Sequence, residues 1–273
     1  MQTSIAQAAA LTVFGNDILQ KQQRDNFWPT ATVFNFCKYV RFVSLGGDTR
    51  APTESSFADT PGEWSARLKS DGTVGLRLHC GARNKPGISD RDAVGFVGGG
   101  PRWLIETMRH QQSDLWEGSW QVVDKDAPDR KIWGVTYFRI APNAPRLPLQ
   151  SRSLEEVRRD LEIALKQIET FAGHRKLEPF VTMFRNGARL LASDNPLDGL
   201  YHPDMGPALP LGARQLLGAT QAAWVFGGMG SWNDIGFDGA DQQEYEQLSD
   251  RLFSLLNEAI CAAANTSAPA TSR

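Results

Sequence analysis

The densest group of residues able to do chemistry is Gly98-Gly99-Gly100-Pro101-Arg102, which follows the apolar run Ala93 to Val97. Read as strand, turn and proline-opened helix, it offers unpaired N–H groups at a helix start, glycines that let a ligand approach the backbone, and a guanidinium fork. Such a site suits a phosphate or a carboxylate. The spacing is neither G-x-G-x-x-G nor G-x-x-x-x-G-K-[ST], and no βαβ pattern surrounds it, so a plain glycine turn is the competing reading. Arg77, Arg83, Lys85 and Arg91 lie close by in sequence. If the strand bearing Arg77 and His79 runs beside the turn, these cations and Arg102 form one positive cleft.

A second cluster, Gly227-Gly228-Met229-Gly230-Ser231-Trp232-Asn233-Asp234, follows a helix instead of opening one. Carbonyls crowd a helix C-terminus, so this cluster suits a glycine cap and repels anions. Trp232 and Asn233 either line a pocket with the first turn or clamp their own loop. The acidic trail Asp234, Asp238, Asp241 and Glu244 misses the EF-hand spacing and fits a helix start. None of His79, His110, His174 and His202 forms a metal-binding pair, and no metal is expected. His79 and Cys80 point to opposite faces of a strand and make no nucleophile–base pair. The candidate acids or bases are therefore His79, His202 (next but one to Asp204) and Asp234. The candidate ligand-binding residues are Gly98, Gly99, Gly100, Arg102, Arg77, Trp232 and Asn233. No G-x-S-x-G elbow is present, and no motif decides whether turnover follows binding or which cofactor would serve it.

Bulk properties narrow the classes. The 273 residues carry a net charge of -2 with 41% hydrophobic side chains, unlike a chain built to wrap a polyanion. No nucleic-acid partner is expected. Three widely spaced cysteines give no disulfide framework. The apolar stretch Ile5 to Phe14 has no basic residue before it and is interrupted by Gln7 and Thr12, which makes it a poor secretory signal. No run approaches the roughly 20 apolar residues that span a bilayer, so no membrane partner is expected and the cytoplasm is the expected location.

The elements that must position these groups suggest a single α+β domain over 1–264, with a disordered tail over 265–273. An antiparallel sheet of about five strands over about 30–140 would pack against a helical part over about 151–263. Helical spacing covers 3–20, β-rich sequence covers 33–45, and the polar segment 46–61 reads as a loop. Two hairpins are expected, 64–69 with 73–80 around Asp71-Gly72, and 116–124 with 131–140. Pro142, Pro145 and Pro148 mark a stiff crossing. A capping box at Ser153 and Glu156 opens the first of four helices, with others from Pro179, from Pro210 to Phe226, and from about Gly239. The leading functional expectation is a small anionic ligand at the Gly98 to Arg102 turn. The alternative is a protein interaction module built on the aromatic and glycine-rich loops, which requires an exposed apolar patch.

Overall fold

The computed structural model describes residues 1–20, 27–46, 53–83, 86–148 and 152–269. In chain order the elements are α1 (Thr3–Leu19), a single 3-10 turn (Thr32–Phe34), β1 (Cys37–Gly46), β2 (Thr53–Ala58), α2 (Pro61–Ser70), β3 (Gly75–Gly81), α3 (Asp90–Ala93), β4 (Arg102–Met108), β5 (Ser113–Val122), β6 (Trp133–Ala144), α4 (Leu154–His174), α5 (Glu178–Leu190), α6 (Leu211–Ala222), a second 3-10 turn (Trp232–Asp234) and α7 (Gly239–Asn265). The class is α+β. The sheet, however, has six strands in the order β2-β1-β6-β5-β4-β3. It is mixed, because β6 returns from the β3–β4–β5 meander to lie parallel to β1, while every other neighbour pair is antiparallel.

Besides the segment after Pro101, two segments differ in type from the sequence reading. Residues 61–70 form α2 in place of a hairpin arm. The Thr60 hydroxyl accepts the Glu63 N–H (3.2 Å) and the Glu63 carboxylate accepts the Asp59 N–H (2.9 Å), so a complete cap outweighs the apparent alternation. Trp64 and Leu68, one helical turn apart, are both buried. Gly72, at φ +76°, ends that helix and does not tighten a hairpin. The other segment is 53–58, which forms edge strand β2 despite its Ser and Thr content. Its first four residues face water and only Phe57 and Ala58 are buried.

Helix α1 departs from the expected single stripe, for all thirteen residues from Ile5 to Asp17 are buried. Its alanines let it approach β3, β4, β5 and α7 at once. Gln7 is satisfied there, donating to the Val33 carbonyl (3.1 Å) and accepting the Tyr137 hydroxyl (3.2 Å). The capping box at Ser153 forms, and α4 buries Val157, Leu161, Leu165, Ile168 and Phe171 as their spacing predicts. Helix α6 stops at Ala222, short of the expected Phe226.

Strand β3 is a sheet edge, and two asparagines close it. Asn16 of α1 accepts the Leu76 N–H (2.7 Å) and donates to the Leu76 carbonyl (3.0 Å). Asn265 of α7 does the same at Leu78, at 2.7 and 2.9 Å. Each side-chain amide stands in for a neighbouring strand, so the edge is not left open to another chain. Residues 265–269, read as the start of a tail, thus pack on the body. Ser267 accepts from Asn16 (2.9 Å), and of this segment 270–273 lie outside the described residues.

Candidate functional site

The glycine-rich turn is placed opposite to expectation. It follows the four-residue helix α3 and leads into strand β4 at Arg102, so no helix opens after Pro101. The β-forming residues Trp103, Ile105 and Thr107 pair with β3 and β5 and decide the outcome. The helix-start argument for an anion at this turn is therefore lost. What the glycines do is allow the chain to coil tightly: Gly98 and Gly100 have φ of +70° and +77°, and a Cβ at Gly100 would come within 2.9 Å of the Val94 side chain.

The nearby cations do not form one positive cleft. Arg102 grips Glu117 through Nε (3.2 Å) and Nη2 (2.6 Å), which raises its pKa. Arg83 reaches the same carboxylate at 3.4 Å and donates to the Gly100 carbonyl at 3.1 Å. Arg77 is buried and lies in register with Glu106 across β3 and β4. Arg91, also buried, bonds Asp250 (2.8 Å) and Glu246, with Asp92 at 3.6 Å. Lys85 lies outside the described residues. Each described arginine of the set thus faces a carboxylate, and their fields largely cancel.

The three candidate acids and bases stand apart. His79 Nε2 lies 2.8 Å from the fully buried Glu106, which also accepts the Leu147 N–H at 3.0 Å. Burial would raise the Glu106 pKa, and these bonds outweigh it and hold the carboxyl below its usual range. His202 is 1% exposed and its Nδ1 lies 3.0 Å from the Thr32 hydroxyl. That hydroxyl donates to Asp204 at 2.5 Å, so the imidazole supplies the Nδ1–H and keeps a bare Nε2. Burial pushes the His202 pKa down to about 4. Asp234 accepts the Gly230 N–H within its own loop. Asp241 and Glu244 from the acidic trail pair with Arg175 at 2.6 and 3.4 Å. The thiols are poor nucleophiles, with burial pushing Cys37 up to about 11 and Cys80 up to about 12.

The two glycine clusters do meet, but without a cavity between them. A Cβ at Gly95 would fall 2.7 Å from the Gly228 nitrogen and closer still to the Gly227 carbonyl, so only glycine permits the contact. Asn233 Nδ2 bonds the Arg91 carbonyl at 2.8 Å. Trp232 is fully buried against Phe180 and Phe184, and its indole N–H donates to Ser249 at 2.7 Å. It clamps the loop and faces no ligand space.

Space exists elsewhere. Depressions totalling about 890 Å³ border the turn residues Gly95 to Gly99, the first turn of α1, and strands β4, β5 and β6. Strand alternation divides them. Trp103, Gly118, Trp120, Trp133 and Tyr137 face the helices, whereas Glu117, Phe138, Leu45 and Glu54 face the helix-free side, so the volume is shared between the two sides of the sheet. On the helix side, Trp120 and Trp133 meet edge to face at 6.0 Å. Gln2 of the α1 start bonds the Val94 carbonyl and ties the helix to the turn. Gly98 and Gly99 border this space, whereas Gly100, Arg102, Arg77, His79, Trp232 and Asn233 do not. Sequence reasoning missed the tryptophans because they come from three strands, and only the register aligns them at one end of the sheet. Among the described residues, no group of three His, Cys, Asp or Glu could hold a metal ion, and no helix is long and apolar enough to cross a membrane. Comparison with family models, with curated proteins and with solved structures finds no match to this chain.

Proposed function

We propose that the protein binds a small molecule with a flat ring system and a carboxylate or phosphate at one end, in the recess between α1, the 95–101 turn and strands β4 to β6. The observation that carries this reading is the half-buried wall of Trp103, Trp120 and Trp133 beside open space. Tryptophan faces left partly bare in a concavity offer stacking area without further ordering cost. The anionic end faces the start of α1, where the helix dipole is positive, the first turn holds no acidic side chain, and Thr3 and Ser4 supply hydroxyls. The glycine turn keeps a role as a wall, and the Arg102–Glu117 pair as its brace.

Titration with nucleoside monophosphates and with aromatic carboxylates, followed by tryptophan fluorescence and by thermal shift, tests the reading. Quenching with saturation is expected, and Trp103→Ala or Trp120→Ala should weaken binding by about tenfold or more, the loss of about 1.4 kcal/mol of stacking. Absence of saturable quenching across both ligand classes would refute it.

A further inference from the structure

Where Gly95 presses on Gly227 and Gly228, the two loops jointly present apolar side chains to water. Phe96 is 68% exposed, Val97 65%, and Met229 wholly so. Ile88, just before α3, is exposed as well, so four of the ten exposed large hydrophobics among the described residues come from these two neighbouring segments. Scattered single exposures are normal for a surface, but a concentration on loops locked together by their backbones is a feature to explain.

Carboxylates outnumber cations around it. Residues 83–102 and 223–251 hold eight carboxylates against five basic side chains, of which Arg83 and Arg102 are bound to Glu117. Arg91 is buried and shared among Asp92, Glu246 and Asp250, whose own side chains are 47%, 42% and 65% exposed. One internal cation thus fixes three carboxylates beside the apolar tip and leaves them in excess. Arg175 offsets Asp241 and Glu244 farther along α7. The shape of the rim is held by the Asn233 bond to Arg91 and by the buried Trp232, so the surface is preorganised.

We infer that this face docks a basic polypeptide segment, one presenting Lys or Arg around an apolar anchor that seats against Phe96, Val97 and Met229. The sign of the charge selects the partner. An acidic rim repels nucleic acid and anionic lipid, and it repels a second copy of itself, while it accelerates the approach of a cationic chain. Phe96 and Val97 also border the tryptophan recess, whereas Met229 and the three carboxylates around Arg91 do not, and docking does not depend on a small ligand filling the recess.

The test uses the full chain and three labelled synthetic peptides of equal length: an amphipathic Lys/Leu peptide, a Lys/Ser peptide with the same charge, and a Glu/Leu peptide with the charge reversed. Anisotropy titration should give Lys/Leu binding at least about tenfold tighter than either control, weakening steeply with salt. Phe96→Ser and Met229→Ser should each lower Lys/Leu affinity about fivefold or more without shifting the melting temperature, since both side chains are exposed. Asp92→Asn should flatten the salt dependence. Equal binding of the Lys/Ser peptide, binding unmoved by Phe96→Ser, or no binding of the Lys/Leu peptide would each overturn the inference, and concentration-dependent self-association by light scattering would assign the face to a second copy instead.

Discussion

Replacing Asn265 by alanine removes the side-chain amide that closes strand β3 at Leu78. Two bonds disappear, the 2.7 Å acceptance from the Leu78 N–H and the 2.9 Å donation to its carbonyl. Leu78 is fully buried and already paired on its other side with Ile105 of β4, and β3 is the sheet edge, so no strand is at hand to replace the amide. An unpaired buried N–H or C=O costs about 1–3 kcal/mol, which puts the loss at about 2–6 kcal/mol if both groups stay dry and nearer 1 kcal/mol if water reaches the edge. Asn265→Asp separates the two bonds, since a carboxylate still accepts from the N–H but repels the carbonyl. It should be no more stable than the alanine variant at neutral pH. Urea unfolding gives the free energy, and native-state hydrogen exchange reads the Leu78 amide directly. An alanine variant within about 0.5 kcal/mol of the parent, with Leu78 exchange unchanged, would show that the amide does not stand in for a strand.

Two further outcomes follow from the buried groups. His202 has its pKa lowered to about 4 by burial, against an ordinary 6.5, so between these values the unfolded chain holds a proton that the folded chain does not. Stability should therefore fall as pH drops from about 7 to about 4, by an amount on the order of 3 kcal/mol from this one group, and His202→Asn should flatten that part of the curve in denaturation measured at several pH values. Gly95→Ala would drive a methyl into the backbone of Gly227 and Gly228, and thermal melts should show a loss of about 1–3 kcal/mol together with weaker docking of the Lys/Leu peptide.

Helices with strong end signals were legible in the residues. Ser153 and Glu156 announce α4, whose amphipathic spacing matches its buried face, and Pro179 announces α5. Failures came where a local pattern admitted two periods. Trp64, Ala66 and Leu68 alternate like a strand, yet Trp64 and Leu68 also sit one helical turn apart, and the Thr60 cap settles the choice. Gly98 to Arg102 looks like a helix entrance because proline often opens one, but the cross-strand pairing of Trp103 with Cys80 is a long-range fact absent from the local sequence. The positive cleft failed for the same kind of reason, as Glu117, Glu106, Glu246 and Asp250 reach the arginines from other elements. The parallel pairing of β1 with β6 depends on where the meander ends, and no turn residue reports it.

Saturable quenching of tryptophan fluorescence in the parent chain and in Trp103→Phe and Trp103→Ala tests ligand binding in the recess most directly. A ring stacked on Trp103 predicts that phenylalanine keeps most of the affinity and alanine loses about tenfold, with the ligand's carboxylate or phosphate required. Equal affinity in all three proteins, or equal affinity for a ligand stripped of its anionic group, would contradict it.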